Sequence, residues 1–267
     1  LAHARAERVA RDAGGRWSDF SIRLASALIL GPIALFCVWR GGVPWALLIG
    51  LAMAGLGMEW ARLARLPAGN LFLLLPVLAW IAALLLGPAA GLFALLAAAA
   101  VAAWRYGKFA AAGIPYIGLG GLALLWLRMS PARGLQDTAF LIAVIWGTDI
   151  GAYVVGRIAG GPKLAPKISP GKTWSGAAGG LACAALAGLL IGHLRASALP
   201  VALLLSILAQ SGDLLESAIK RRLGVKDSGQ TIPGHGGLFD RLDGFLAAAP
   251  AAALLALSTQ GGLPLWP

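Results

Sequence analysis

Residues 89–104 read AAGLFALLAAAAVAAW, a stretch with no charged side chain and no alternation of apolar with polar positions. A strand of a transmembrane barrel alternates lipid-facing and lumen-facing residues over about ten positions. An apolar run without that alternation, placed where no water can bond the backbone, must satisfy its own N–H and C=O groups, and it does so as a helix. Just upstream, Gly87-Pro88 reads as a helix stop followed by a tolerated helix start. Carried outward along the chain, this reading finds nine apolar segments: 22–40, 43–64, 70–87, 89–104, 114–129, 136–157, 174–194, 198–219 and 244–263. Their lengths lie near the roughly 20 residues that cross a bilayer. The fifth, 114–129, is short and Gly-rich. The fold class is therefore all-α: a polytopic integral membrane protein with about nine transmembrane helices.

Composition points the same way. The 267 residues include 22 Lys and Arg and 11 Asp and Glu, so charged residues make up 12%, against roughly 25% in a soluble domain. The hydrophobic set reaches 59% and the mean hydropathy is +0.80. Soluble globular, disordered and disulfide-scaffold classes are excluded, because polar groups are too few to cover a folded surface in water. Cys37 and Cys183 both lie in apolar runs and read as small buried hydrophobes. The tail before the first span has no small-x-small cleavage site and reads as leading into a retained span, not a signal peptide.

Lys and Arg orient such a chain. With the N-terminus in the cytoplasm, only Arg40, Arg128, Arg133 and Arg195 fall outside, which leaves 18 of the 22 basic residues inside. The expected topology is N-in and C-out. Acids divide the chain further. The first four spans hold one, Glu59, and read as scaffold, so we separate a tail and scaffold region, 1–134, from a region of chemistry, 135–267. Two cytoplasmic loops, 157–173 and 220–243, carry its unusual residues.

The first loop combines Gly and Pro with Lys163, Lys167 and Lys172 and the hydroxyls of Ser169 and Thr173. Backbone N–H groups near Gly, together with Lys, can hold phosphates. A P-loop does not fit, because Pro166 stands where its first Gly is needed. Thr173 or Ser169 can equally cap the following helix. In the second region, 211–244, Asp213 and Glu216 near the end of the eighth segment are spaced i,i+3 on one helix face, as are Asp240 and Asp243 at the entrance to the ninth. Asp149 lies near the middle of the sixth segment, where a carboxylate costs on the order of 2.5–3.5 kcal/mol and is retained for a partner. Carboxylates from several helices suit Mg²⁺, a hard cation that shares its oxygens with substrate phosphates. Lys220, Arg221, Arg222, Lys226 and Arg241 surround them. This is equipment for phosphoryl or nucleotidyl transfer. His235, in the turn Pro233-Gly234-His235-Gly236-Gly237, can orient a phosphate, act as an acid, or serve only the backbone.

At these residues the sequence resembles the phosphatidate cytidylyltransferase (CDP-diacylglycerol synthase) family. The resemblance lies in Ser217-Ala218-Ile219-Lys220-Arg221, then Lys226-Asp227, then His235-Gly236-Gly237-Leu238-Phe239-Asp240-Arg241-Leu242-Asp243. Asp149, Tyr153, Gly156 and Arg157 match upstream, as do Ser169-Pro170, Lys172-Thr173-Trp174 and Gly176. The chain departs from the family at Gly171 and Ser175, where members often carry Lys and Glu.

The resemblance implies transfer of a cytidylyl group from CTP to phosphatidic acid, giving CDP-diacylglycerol and pyrophosphate for phospholipid synthesis. It implies a metal site at Asp213, Asp240 and Asp243, holding Mg²⁺ with a second, monovalent ion such as K⁺ beside it. Lys220 and His235 would join the catalytic set. Ser169, Lys172, Thr173, Arg221, Lys226, Asp227, Arg241 and Asp149 would contact substrate. Arg222 lies outside the specified positions and reads as a membrane anchor among anionic headgroups. The expected setting is a bacterial inner membrane, with the site on the cytoplasmic side, membrane lipids around it and a homodimer as the assembly; no nucleic acid is involved. Two other readings stand beside this one: an ion- or proton-coupled secondary transporter using the intramembrane acids, and a related lipid nucleotidyltransferase or kinase with another acceptor.

Overall fold

The computed structural model of the chain describes residues 26, 28–229, 231, 232, 234, 236–259 and 262–265. Among them the chain forms nine α-helices. They are α1 (Leu28–Arg40), α2 (Gly42–Leu63), α3 (Leu74–Leu86), α4 (Pro88–Tyr106), α5 (Lys108–Met129), α6 (Gly134–Ala159), α7 (Trp174–Ile191), α8 (Ala198–Leu223) and α9 (Phe239–Ser258). Every apolar segment read from the sequence has its helix, and seven of the helices are long and apolar enough to cross a membrane. α1 and α3 are shorter. The 13 residues of α3 rise about 20 Å, less than the roughly 30 Å of a hydrocarbon core. Asn70 is the cause: its Oδ1 accepts from Phe72 N–H at 3.0 Å and its Nδ2 donates to the Pro67 carbonyl at 2.9 Å. This local turn competes with the helix expected to start there.

An antiparallel hairpin of β1 (Lys163–Ala165) and β2 (Ser169–Thr173) amends the all-helical expectation. Lys163 faces Thr173, Ala165 faces Ser169, and Ile168 N–H closes the turn on the Ala165 carbonyl at 3.1 Å. The cytoplasmic loop of the sequence reading is thus an ordered arm. It ends where Thr173 caps α7, its Oγ1 accepting from Gly176 N–H at 3.1 Å.

Single glycines in the left-handed region join three helix pairs, α1 to α2, α3 to α4 and α4 to α5: Gly41 (φ 62), Gly87 (φ 96) and Gly107 (φ 89). At Gly41 a second constraint acts. Arg128 of α5 donates from Nε and Nη2 to the Val38 and Trp39 carbonyls at 2.5 and 2.9 Å, closing the end of α1. A Cβ on Gly41 would lie 2.6 Å from that guanidinium carbon.

Beyond α3, two helix starts depart from expectation by five residues or more, and both concern the site. α5 begins at Lys108, not 114, and holds Pro115 in its interior. Its glycines let neighbours approach: Gly113 meets Trp60, Gly118 meets Leu95, Gly120 meets Leu246 and Gly121 meets Met53. Lipid supplies no hydrophobic drive between helices, so such close contact through small residues is what associates them. The Gly-rich segment is consequently the central helix, packed against α2, α3, α4, α6 and α9. α9 begins at Phe239, not 244, so Asp240 and Asp243 lie inside its first two turns. Between α6 and α8, the Thr148 hydroxyl bonds the Ser206 hydroxyl at 2.8 Å within the apolar interior.

Candidate active site

Carboxylates from α6, α8 and α9 meet two lysines. Lys172, on β2, reaches Asp213 of α8, Nζ to Oδ2 at 2.5 Å. Lys220, on the last turns of α8, lies between two acids: Glu216 Oε1 at 2.8 Å and Asp240 Oδ1 at 2.5 Å. Asp149 of α6 is exposed, and its charge acts on Asp213 and Lys172. Asp243 interacts electrostatically with Asp213, Asp149 and Lys172. Five carboxylates against two ammonium groups leave a formal excess of negative charge, which a bound cation would offset. One oxygen from each of Asp213, Glu216 and Asp243 lies within 4.8 Å of the others. An all-carboxylate set of this kind fits Mg²⁺.

Asp240 has other partners. Its Oδ2 accepts from Ser228 Oγ at 2.9 Å, Gly237 N–H at 3.1 Å and Ser228 N–H at 3.2 Å. With Lys220 on Oδ1, Asp240 gathers the loop that leads into α9. Gly237 is demanded by close approach, since a Cβ there would stand 2.8 Å from Asp240 Oδ2 and 2.9 Å from Glu59 Oε2. Asp243 has a much sparser hydrogen-bond environment, its Oδ1 accepting from Gly244 N–H at 2.8 Å.

The family follows from this region together with the spans that carry it. Residues 21–259 match the cytidylyltransferase family. The chain belongs to that family. It is 45% identical over 250 residues to a protein of Brucella suis named phosphatidate cytidylyltransferase, which covers 87% of this chain and 91% of the relative. A Brucella abortus protein of the same name matches to the same extent. One from Staphylococcus epidermidis is 39% identical over 157 residues, 57% of this chain and 59% of the relative.

The other residues singled out in the sequence fall around the cluster. Arg221 donates from Nε to the Ile168 carbonyl at 3.2 Å, tying the end of α8 to the hairpin turn. Ser169 opens β2, half-buried. Thr173 is buried, and its Oγ1 serves the α7 cap and contacts Ser175 Oγ at 3.0 Å. Ser175, one of the two departures from the family, also bonds the Gly160 carbonyl at the end of α6. Lys226, Asp227 and Arg241 are exposed on the loop and on the outer side of α9. His235 lies outside the described residues.

Sequence reading missed three residues. Ser228 bridges Asp240 and Glu59. Tyr116 of α5 has a buried hydroxyl without a hydrogen-bond partner, within electrostatic reach of Asp243, Glu216 and Asp213. Its ring lies 5.4 Å from that of Phe239. Glu59, assigned to scaffold, is fully buried against the same loop. A signal for Glu59 existed: it is the one acid in the first four spans.

Proposed function

We propose that the chain transfers the cytidylyl group of CTP to phosphatidic acid, releasing CDP-diacylglycerol and pyrophosphate. The observation that carries this reading is the meeting of Asp149, Asp213, Glu216 and Asp243 with Lys172 and Lys220 at the family's motif. The relatives' shared name supports the substrates. Placing the N-terminus and the site on the cytoplasmic side of an inner membrane rests on the asymmetry of Lys and Arg. CTP is supplied from that side. Exposed apolar residues such as Leu85, Leu86, Phe93 and Trp104 would meet lipid, and a homodimer would cover part of that exterior.

Asp213 and Asp243, with Glu216 beside them, would hold Mg²⁺, which supplies charge neutralisation for the triphosphate. Asp240, which the resemblance places in the same set, would join only by giving up Lys220. Lys172 and Lys220 provide fixed positive charge at the cluster, each already oriented by a carboxylate at 2.5–2.8 Å. Arg221, Lys226 and Arg241 add exposed cations for the phosphates. The attacking group is a phosphatidate oxygen, already anionic. It forms the new P–O bond at the α-phosphorus as the bond to pyrophosphate breaks, in line, so no strong general base is needed. Rate then comes from holding two anions together and from neutralising their charge.

The test uses the purified full-length chain in vesicles containing phosphatidic acid, supplied with CTP labelled at the α-phosphorus. Label should pass into the lipid phase with one pyrophosphate released per label, and only when Mg²⁺ is present. Absence of lipid-borne label overturns the reading. Uptake driven by an ion gradient without CTP would instead establish the transporter.

A further inference from the structure

Glu59 sits on the penultimate turn of α2 and is completely buried. It is surrounded by donors from one remote segment. Its Oε1 accepts from Leu238 N–H at 2.7 Å and from the Thr231 hydroxyl. Its Oε2 accepts from Phe239 N–H at 2.8 Å and from the Ser228 hydroxyl at 3.1 Å. Leu238 and Phe239 are the N-cap and first residue of α9. A carboxylate from another helix therefore takes N–H groups that a helix start leaves unsatisfied, at the positive end of the α9 dipole. No salt bridge reaches Glu59 among the described residues, so these neutral donors are what satisfy its carboxyl oxygens in the interior.

The neighbours are shaped around this acid. A Cβ on Gly229 would lie 2.8 Å from Glu59 Oε1. Trp60, the next residue, packs its ring 5.5 Å from that of Phe239. Ser228 Oγ stands between Glu59 and Asp240 and carries one proton for two carboxylates. With two other N–H groups on Asp240 Oδ2, that proton is free to go to Glu59. The chain of contacts runs from α2 through Ser228 to Asp240, and through Leu238 and Phe239 to the turn that carries Asp243.

We propose that Glu59 is a positioning residue of the transfer reaction: it sets the direction in which α9 presents Asp240 and Asp243. It touches no substrate and acts through the 228–239 loop. The inference rests on the reading of the carboxylate cluster as the active site.

The experiment compares Glu59→Gln with wild type in the purified full-length chain. Amide exchange at Leu238 and Phe239 should accelerate about tenfold. In the same protein kcat should fall about tenfold while KM for CTP stays within about twofold, since what is lost is alignment and not binding. Ser228→Ala should lower kcat too. Adding Glu59→Gln to it should cost no more than about twofold further, because the two share one path. Wild-type kcat alongside faster exchange would overturn the proposal, and so would multiplicative effects in the double variant. If Glu59→Gln does not fold, Thr231→Val and Ser228→Ala decide: both must lower kcat with KM unchanged, and wild-type kcat in both overturns it. Asp243→Asn separates the failures. If that variant loses turnover while the Glu59 pathway variants keep theirs, only this inference falls; if Asp243→Asn retains turnover, the functional reading falls.

Discussion

Asp240 and Asp243 stand three residues apart on the first turns of α9, in opposite surroundings. Asp240 receives Lys220 and the N–H groups of Ser228 and Gly237, and shares the Ser228 hydroxyl with Glu59. Asp243 accepts from the N–H of the residue after it, and faces Asp213 and Glu216. Glu59 and Asp149 repeat the contrast in two other helices. Glu59 is buried under four donors, whereas Asp149 is exposed and linked to the cluster by charge. A carboxylate saturated by the protein's own donors orders the chain. One that is short of donors is available to a cation or a substrate.

Four substitutions sharpen that contrast. The largest effect belongs to the poorly satisfied acids. Asp243→Asn should lower CTP-dependent formation of CDP-diacylglycerol by at least about a thousandfold, with the protein still inserted in the membrane. Asp240→Asn should fall between, about 30-fold, and should also lower the melting temperature, because an amide cannot replace the ion pair with Lys220. Equal losses for the two, with no change in stability for either, would break the comparison. The smallest effect separates two adjacent arginines. Arg221→Ala should raise KM for CTP several-fold by freeing the hairpin turn, while Arg222→Ala should leave it within about twofold. Equal shifts would put Arg222 in the nucleotide site.

How much of this was legible depends on distance along the chain. Lipid-spanning helices announce themselves locally, and the Gly87-Pro88 break fell where it was expected. The acid pairs on α8 and α9 were visible as i,i+3 spacings, and Asp213 and Asp243 do meet. The start of α9 was misplaced by five residues because its cap is a side chain about 180 positions upstream. The expected α5 leaves out Lys108–Gly113, where a charge and a glycine interrupt the apolar run, while the packing of its glycines against Trp60 and Met53 is a tertiary fact. The hairpin has too few residues for strand periodicity to register. Glu59 was missed for a different reason. A lone intramembrane acid is kept for a partner, and this holds for Glu59 of α2 as it does for Asp149. The partners of Glu59 lie on the very loop that the motif had already marked.

On the proposed function, acids left short of protein donors are the ones that serve the reaction. Equilibrium binding of Mn²⁺ to the purified chain, followed by the paramagnetic signal of the free ion, tests it without relying on turnover. Asp243→Asn should weaken binding by more than about a hundredfold and Asp240→Asn by about tenfold or less. Loss of Mn²⁺ in Asp240→Asn with binding retained in Asp243→Asn would contradict it.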